Sequence, residues 1–351
     1  MASAWRRAAA DAESGARPSF GGSPVRTIHI DFESVPSCPL CGAAGVERAV
    51  LRRRWYSFGP FRIGIPKEGV PLLACQRCNL LFKAVVPEPG GFARIMAAAA
   101  GAVWRPKKGP HPAVPAIERH LPHGPVDILD IGASNGDLLV QLSRRGGRLS
   151  ALDVGRFSRC AEIVTGEYII GEIDQPLTWS GHRYGLVTAF DVFEHVRDAR
   201  EAADNVMRLA APGGLVIVET GDWTTASAAL ASWYYVNLFE HHVFWSRHTF
   251  DYVCGTQPCR LEAYEVVEHK GRRALSATKR AILRAVTTTA GVPGCARLVQ
   301  AVTGRDPTLL GQPGRRDHAF VVLRRSTDDR SDVGGDGKAV SKPGDQERPC
   351  R

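Results

Sequence analysis

The junction between an apolar segment and a helical pattern at residues 126–142 constrains the fold of this chain more than any other feature. The segment VDILDIG ends at Gly132, and the pattern GDLLVQL begins at Gly136 with its leucines on one face. A glycine turn between a buried strand and a helix presents backbone N–H groups and the positive end of the helix dipole to an anion. The junction therefore predicts an α/β fold with a ligand site at this turn.

The spacing of the glycines narrows the class of ligand. A dinucleotide-binding loop of the form GxGxxG would need glycine where Ser134 and Asp137 stand. A P-loop would need Gly-Lys-Ser/Thr, which the sequence lacks. The observed pattern, Asp130-Ile131-Gly132-x-x-x-Gly136, therefore disfavours nicotinamide, flavin and nucleoside-triphosphate ligands.

The segments that follow alternate between strand and helix, as is typical of a parallel sheet. The predicted strands read RLSALDVG, YIIGEI, YGLVTAFDVFEHV and GGLVIVETGD, the last after a turn at Pro212-Gly213-Gly214. A helix is predicted at AREAADNVMRLA, and a closing pair of strands at RLEAYEVVEH and HAFVVLRR. These elements predict an α/β chain built around a parallel sheet.

Four of these segments resemble the motifs of class I S-adenosylmethionine-dependent methyltransferases, in the order that this family has them. LDIGASNG is similar to the first motif, ALDVG to the acid of the second strand, FDVFEHV to the fourth-strand segment and LAAPGGLVIVET to the fifth-strand segment. The resemblance covers about residues 125–222. It implies a Rossmann-like, seven-stranded methyltransferase sheet.

The resemblance also implies S-adenosylmethionine as the cofactor and assigns its contacts. The glycine loop lies against the methionine part, Asp130 accepts from the ammonium group directly or through water, and Asp153 accepts from both ribose hydroxyls. Asp174 is a candidate partner of the adenine amine. The predicted cofactor-binding residues are Asp130, Gly132, Ala133, Gly136, Asp153, Asp174 and Asp191. The alternative is an ordinary strand-to-helix turn, with Asp153 as a helix-capping acid.

Methyl transfer from a sulfonium is a direct displacement, so positioning supplies most of the catalysis, and a base helps where the acceptor is a hydroxyl or an acidic carbon. The segment 223–252 holds nine aromatic residues and is predicted to form an aromatic cap over the acceptor. His241 and His242 lie in this cap and His195 lies in FDVFEHV; these three are the candidate catalytic residues. The structural alternatives are hydrogen-bonded or helix-capping histidines and aromatic residues that only build the core.

Two CxxC pairs, in CPLCG and CQRCN, predict a tetrahedral zinc site with Cys38, Cys41, Cys75 and Cys78 as ligands. Gly42 and Asn79 follow the two pairs at equivalent places, and both residue types accept the left-handed backbone that lets the next amides point at thiolates. A redox dithiol is the alternative. The other five cysteines, Cys160, Cys254, Cys259, Cys295 and Cys350, are predicted to be free thiols.

A zinc ribbon ahead of a methyltransferase resembles the sugar C-methyltransferases of natural-product pathways, where the zinc module helps to shape the substrate side. Those enzymes usually continue into a large C-terminal domain for which this sequence has no counterpart, so a nucleotide-sugar substrate with carbon as acceptor stays open. Zinc ribbons also bind nucleic acid, and Arg52–Arg54 with Trp55 and Tyr56 would suit that role.

The predicted organisation is a disordered leader (1–34), a zinc ribbon (35–90), a linker with helical character (91–124), a methyltransferase domain (125–270), a basic helical insert (271–314), the final strand (315–325) and a disordered tail (326–351). Between Lys270 and Arg316 the sequence has ten Lys or Arg against one acid, which equals the whole net charge of +9. This insert is predicted to be a solvated helical face, or a dock for an acidic carrier protein, a phosphate-bearing substrate or a membrane surface.

The functional prediction is O- or C-methylation of a small molecule, anionic or carrier-bound in one interpretation, in specialised metabolism or polysaccharide biosynthesis. An RNA or protein methyltransferase and a non-catalytic zinc-ribbon protein that binds nucleic acid or a partner are the alternatives, with nucleic acid disfavoured. No segment has the roughly 18 consecutive apolar residues of a membrane span, and no signal peptide is recognisable, so the protein is predicted to be cytoplasmic.

Overall fold

The structure is a computed structural model that describes residues 26–52, 55–58, 61–95, 111–268 and 316–327. The predicted basic insert, 271–314, lies outside the described residues, as do the first 25 residues of the predicted leader and the predicted tail beyond residue 327. Among the described residues, no helix is both long enough and apolar enough to cross a membrane.

The N-terminal part of the chain is built from short strands in three small sheets. The strands are β1 (Arg26–Ile28), β2 (Phe32–Ser34), β3 (Gly45–Leu51), β4 (Trp55–Phe58), β5 (Phe61–Gly64), β6 (Val70–Cys75), β7 (Leu81–Lys83) and β8 (Val85–Pro87). Strand β1 pairs with β5, and β2 pairs with β8. The predicted leader therefore ends earlier than residue 34. The pairing of β1 and β2 with strands far away in the chain gives this segment a regular structure that its composition alone does not predict.

The rest of the described chain forms one large sheet and its helices. Its strands are β9 (Ile128–Ile131), β10 (Leu149–Asp153), β11 (Tyr168–Ile170), β12 (Tyr184–Phe190), β13 (Ala210–Gly221), β15 (Cys259–Glu268) and β16 (Arg316–Arg325). They lie in the order β11-β10-β9-β12-β13-β16-β15, and β16 is antiparallel to both of its neighbours. The predicted closing pair is thus present at one edge of a mixed sheet.

The helices that cover the sheet are α1 (Val114–His120), α2 (Asp137–Leu142), α3 (Ser158–Ile163), α4 (Ala199–Leu209) and α5 (Arg247–Thr256). Residues 89–95 are also helical, and 3-10 turns span Trp223–Ser232 and Tyr234–Asn237. Helix α4 begins where the Asp198 side chain accepts the Glu201 N–H, and α5 where Ser246 accepts the Thr249 N–H. These caps satisfy amides that the first turn of a helix leaves without a partner.

The central strands are buried on both faces. All residues of β9, ILDI, are buried, with Leu129 and Ile131 in one apolar cluster and Ile128 in the other. A parallel strand covered by helices on both faces reads as a continuous apolar run, which explains why this segment was recognisable in the sequence. The junction at Gly132 then emerges at the carboxyl edge of the sheet.

Two predicted boundaries within this sheet are corrected. Strand β12 ends at Phe190, because Asp191 turns the backbone with φ of 54° and FDVFEHV continues as a loop. The turn at Pro212-Gly213-Gly214 does not precede β13 but bulges from it, since the pairing with β12 jumps from Ala210 to Leu215. A bulge of this kind depends on the neighbouring strand, which the local sequence does not reveal.

The N-terminal module and the predicted aromatic cap share a sheet. The cap contributes strand β14 (Val243–Phe244), which pairs with β7 in a four-stranded sheet of order β14-β7-β6-β3. The ring of Tyr56 is buried and meets Phe239 of the cap edge-on at 6.0 Å. Tyr56 is therefore part of a core and is not displayed for the nucleic-acid contact considered for it.

Candidate functional site

At two positions the glycine loop between β9 and α2 has a backbone that glycine adopts without strain. The φ angles are 70° at Gly132 and 74° at Gly136. A Cβ atom at Gly132 would lie 2.7 Å from Val192 Cγ2, and one at Gly136 would lie 2.9 Å from Ile163 Cδ1. Both positions thus combine a left-handed backbone with a close neighbour. Ala133, which the loop also contains, is buried.

Asp130 and Asp153 lie on either side of this loop, at the carboxyl ends of β9 and β10. Asp130 Oδ1 accepts from Thr188 Oγ1 at 2.7 Å, and burial raises the pKa of Asp130 to about 7. Asp153 Oδ2 accepts from the Ser134 N–H at 2.7 Å, and burial raises the pKa of Asp153 to about 6. The two buried carboxylates and the backbone amides of the loop between them, residues 132–136, form a polar site at the carboxyl edge of the sheet, here called the cradle.

The remaining predicted cofactor residues have different surroundings. Asp174 Oδ2 accepts from the N–H groups of Arg197, at 2.6 Å, and of Asp198, at 3.3 Å, so this carboxylate holds the start of α4 in place. Asp191 follows β12, and its N–H donates to the Glu219 carbonyl at 3.1 Å. These contacts are structural, and the assignments of Asp174 to adenine and of Asp191 to the cofactor stay predictions.

The structure brings His195 and His241 together around Glu194. Glu194 is fully buried; its Oε2 accepts from Thr220 Oγ1 at 2.9 Å, while its Oε1 has no hydrogen-bond partner among the described residues. His195 Nε2 lies 3.9 Å from that oxygen and His241 Nε2 lies 4.0 Å from it. Glu194 Oε1 and the two Nε2 atoms are thus close together but do not hydrogen-bond one another. The possible metal-ligand atoms of the three residues all lie within 4.8 Å of each other.

The tautomer of His195 follows from its other nitrogen. His195 Nδ1 lies 2.9 Å from the main-chain carbonyl oxygen of Glu240, and a carbonyl only accepts, so Nδ1 carries the proton. In the neutral ring, Nε2 therefore has a free lone pair directed toward Glu194. The His195 side chain is 34% exposed, whereas that of His241 is 5% exposed, so this point is reached from the His195 side.

His241 and His242 are both buried, and burial lowers the pKa of each well below the usual histidine value. Both rings are therefore neutral near pH 7 and each keeps a lone pair. Neither ring nitrogen of His242 has a hydrogen-bond partner within the described parts of the chain, and the edge of that ring meets Phe92. The predicted candidates are thus in one place, but they differ in surroundings.

Residues that the sequence did not single out complete this region. Lys83, at the end of β7, is buried; its Nζ donates to the Leu238 carbonyl at 2.7 Å and lies over the Tyr56 ring. Its N–H donates to the His242 carbonyl at 3.0 Å. The sequence likewise does not indicate Glu194, Thr220 or Thr188; for Lys83 the one signal is a charged residue within the apolar segment that follows the second CxxC pair.

The four cysteines of the CxxC pairs form one buried cluster. Cys38 Sγ lies 3.5 Å from Cys78 Sγ, and Cys41 Sγ lies 3.3 Å from Cys75 Sγ. All four sulfur atoms lie within 4.8 Å of one another. A tetrahedral site with Zn–S bonds of about 2.3 Å needs sulfur–sulfur distances of about 3.8 Å, which is compatible with this limit. The cluster therefore fits zinc.

The turns after the two pairs are equivalent, as the sequence predicted. Gly42 and Asn79 have φ angles of 72° and 58°, and each N–H donates to the carbonyl of the first cysteine of its pair. The Arg77 N–H points at Cys75 Sγ from 3.4 Å. Amides directed at sulfur stabilise a thiolate and so prepare the cluster for a cation.

Comparison with known proteins gives information on the type of domain but not on its substrate. Residues 96–254 match the family model described as a methyltransferase domain. Over these residues the chain is similar to a methyltransferase domain. The match includes the glycine loop, both flanking aspartates and the three candidate histidines, so it supports the prediction of a class I S-adenosylmethionine-dependent methyltransferase over this part of the chain.

The curated relatives are similar over shorter stretches. A ubiquinone biosynthesis O-methyltransferase of Vibrio cholerae is 29% identical over 100 residues, which are 26% of this chain and 41% of the relative. The corresponding protein of Nitrosospira multiformis is 26% identical over 155 residues, 41% of this chain and 62% of the relative. The chain thus spans about half the length of these relatives.

Among solved structures, an S-adenosylmethionine-dependent methyltransferase from Mesorhizobium loti is similar, with a TM-score of 0.41 and 15% identity. The alignment covers 61% of this chain and 98% of that structure. At this level of similarity the solved structures carry no argument, and the likeness to a methyltransferase domain depends on the family model and on the geometry of the loop.

Proposed function

We propose that this chain transfers the methyl group of S-adenosylmethionine to a small-molecule acceptor, at oxygen or carbon. The observation that carries the proposal is the cradle between β9 and β10, in which a strained glycine loop lies between the buried carboxylates of Asp130 and Asp153. Specialised metabolism or polysaccharide biosynthesis is the setting that the resemblance to sugar C-methyltransferases favours, and the O-methyltransferase relatives favour oxygen as the acceptor atom.

The residues of the cradle suit each part of the cofactor. The loop amides and the absence of side chains at Gly132 and Gly136 suit close approach of the amino-acid part. In this proposal, Asp130 accepts from the ammonium group and Asp153 accepts from the ribose hydroxyls. When bound, the cofactor supplies an electrophilic methyl group; the chain supplies the orientation of that group toward the acceptor.

The acceptor is proposed to bind at the point that Glu194, His195 and His241 face. A hydroxyl there would donate to the lone pair of His241 Nε2, in the tautomer whose proton is on Nδ1, or to that of His195 Nε2, or to Glu194 Oε1. Buried polar atoms without partners are costly, so a hydrogen-bonding acceptor would satisfy them. His241, neutral because of its burial, is the candidate base, with His195 and His242 as the other members of the predicted set.

Zinc is proposed to bind the four cysteines in a structural role. Four cysteine ligands close a tetrahedral zinc site and leave no position for a substrate. The alternative of a redox dithiol is disfavoured because all four sulfur atoms converge rather than one pair. The module would then hold β6 and β7, and through them the cap that carries His241 and His242.

The proposal is tested by calorimetric titration of the zinc-loaded protein with S-adenosylhomocysteine, followed by transfer of labelled methyl from S-adenosylmethionine to a panel of phenols, polyols and nucleotide sugars. Saturable binding and label in a phenol or polyol would support O-methylation, and label on a sugar carbon would support C-methylation. A folded, zinc-loaded protein that binds no S-adenosylhomocysteine would contradict the proposal.

Ionisation of Asp153 is expected to tighten binding of S-adenosylhomocysteine about tenfold between about pH 5 and pH 7. Asp153 must be ionised to accept from both ribose hydroxyls, and burial raises its pKa to about 6 in the free protein. Titrations across this range check the slope. Asp153→Asn should lose this part of the pH dependence and keep the part that belongs to Asp130, whose pKa burial raises to about 7. Affinity that is independent of pH in the wild type would contradict the assignment.

The raised pKa of Asp153 also makes the stability of the free protein depend on pH. Stability falls as the pH rises, whereas cofactor affinity increases. A carboxyl whose folded-state pKa is raised favours the folded state below its unfolded pKa, and this contribution is lost as the pH rises through about 6. The cofactor should offset that loss, so the difference in thermal midpoint with and without S-adenosylhomocysteine should grow over the same pH range.

His241→Ala is expected to lower turnover by about 100-fold or more, with little change in affinity for S-adenosylhomocysteine, since a general base contributes about 10²- to 10⁴-fold. His242→Ala, tested beside it, separates the two neighbours. His248→Ala is a matched control, because His248 is exposed on α5. Turnover is measured with the acceptor that the panel identifies; unchanged turnover in both cap variants would remove these histidines from catalysis.

A further inference from the structure

A second pair of cysteines lies at the opposite side of the large sheet from the cradle. Cys254 is in the last turn of α5 and Cys259 begins β15, and their sulfur atoms are 3.6 Å apart. Neither belongs to the four cysteines that fit zinc, and neither is used in the proposed methyl transfer. Within the described residues, these two thiols lie close together although neither is a candidate metal ligand.

The two thiols differ in exposure and acidity. Cys259 is 8% exposed, whereas Cys254 is partly exposed and open to small reagents. The thiol of Cys259 donates to Cys254; this hydrogen bond lowers the pKa of Cys254 and raises that of Cys259. An accessible, acidic thiol beside a buried partner is the arrangement in which one cysteine reacts first and the other resolves the product.

The backbone between them already forms the required turn. The Gln257 N–H donates to the Val253 carbonyl at 2.8 Å, and the Cys259 N–H donates to the Gln257 carbonyl at 2.7 Å. The sulfur atoms must approach from 3.6 Å to about 2.05 Å, a change that side-chain rotation can supply. No strand has to be separated, because Cys259 keeps its register opposite Arg325 in β16.

We propose that Cys254 and Cys259 are a reversible redox site that forms an intrachain disulfide with hydrogen peroxide as the oxidant. The Cys254 thiolate attacks peroxide, the O–O bond breaks, and Cys254 becomes a sulfenic acid with release of hydroxide. The Cys259 thiol then attacks that sulfur, the S–O bond breaks and water leaves. Two thiols are oxidised by two electrons and one peroxide is reduced to two waters overall, once the hydroxide is protonated.

The disulfide would tether α5 to the edge strand β15. At its other end, α5 is capped by Ser246, whose Oγ accepts at 3.2 Å from Nδ2 of Asn79, the residue after the second CxxC pair. The tether therefore fixes a helix that bridges the cysteine module and the edge of the large sheet. Cys259 pairs with Arg325, and Arg324 pairs with Leu215, so the site lies at the end of β13 remote from Thr220. Cofactor binding should not change.

The test uses the full-length, zinc-loaded protein treated with hydrogen peroxide at low molar excess, then alkylated and digested with trypsin. Cleavage after Arg247 and Arg260 puts both cysteines in one peptide, HTFDYVCGTQPCR. The expected product is this peptide without alkyl groups and lighter by two hydrogens, returning to the doubly alkylated form after reduction. A doubly alkylated peptide, or a peptide with oxidised Cys254 and alkylated Cys259, would overturn the proposal.

Two controls keep this result separate from damage elsewhere. Zinc release, followed with a chromophoric chelator, reports oxidation of the other four cysteines, and S-adenosylhomocysteine binding reports the cradle. The oxidised wild type is expected to unfold at a temperature a few degrees higher than the reduced protein, and Cys259→Ser is expected to show no such rise. If the cross-linked protein unfolds at the same temperature as the reduced protein, the proposal that the disulfide tethers α5 to β15 is wrong.

Discussion

Asp153→Ala is expected to weaken binding of S-adenosylhomocysteine by at least about 100-fold, the largest effect that a single side chain of the cradle should have. A carboxylate that accepts from two ribose hydroxyls makes two charge-assisted hydrogen bonds, each contributing about 1.5–3 kcal/mol. The same carboxylate accepts from the Ser134 N–H at 2.7 Å, so its removal also releases the glycine loop. Calorimetric titration measures the affinity directly.

The variants around Asp153 distinguish its charge from its shape. Asp153→Asn retains one acceptor and the contact with the loop, so its affinity should fall between those of the wild type and the alanine variant. Asp137→Asn is the matched control, because Asp137 begins α2 directly after the same loop but its carboxylate pairs with Arg159. Equal affinities of wild type and Asp153→Ala would contradict the assignment of the ribose to this residue.

Removal of zinc is expected to lower turnover by at least about 100-fold while S-adenosylhomocysteine binding changes by less than about threefold. Strand β7 follows the second CxxC pair and pairs with β14 of the cap. The Lys83 N–H donates to the His242 carbonyl, and Trp223 Nε1 donates to the Asn79 carbonyl at 3.0 Å. Since a displacement of about 1 Å can cost about 100-fold in rate, loss of this support should misplace the acceptor site.

Cofactor binding should survive because the cradle is built from β9, β10 and the loop between them, which make their strand contacts within the large sheet. Chelation and Cys75→Ser are two independent ways to remove the metal, with zinc content, turnover and calorimetry measured on each preparation. Cys254→Ser is the matched cysteine control. Full turnover without zinc would contradict the coupling, and simultaneous loss of cofactor binding would indicate that the metal supports the whole fold.

The cradle and the cysteine cluster could be predicted because their signals are local. Gly132 and Gly136 have the positive φ angles that their positions suggested, and Asp130 and Asp153 end neighbouring strands. Gly42 and Asn79 adopt the predicted left-handed backbone. In each case, a backbone conformation or a ligand spacing is imposed within a few residues, so the sequence carries the information directly.

The acceptor region could be predicted only in part. The sequence indicates His195, His241 and His242 by their chemistry and their motif, but it does not indicate the buried Glu194 carboxylate that lies between two of them. Lys83 was missed because its role depends on a carbonyl 155 positions away. Long-range contacts of this kind have no periodic signature, and the intervening chain can be of any length.

By itself, the sequence determined the α/β class, the glycine loop with its two acids and the set of four cysteines, because short-range backbone and spacing requirements select those residue types. Only the tertiary structure decided that the cap strand Val243–Phe244 joins the sheet of the cysteine module, and that Glu194 lies between His195 and His241. Strand pairing and burial arise between segments distant in the chain, where the free energy depends on the assembled neighbours rather than on local sequence.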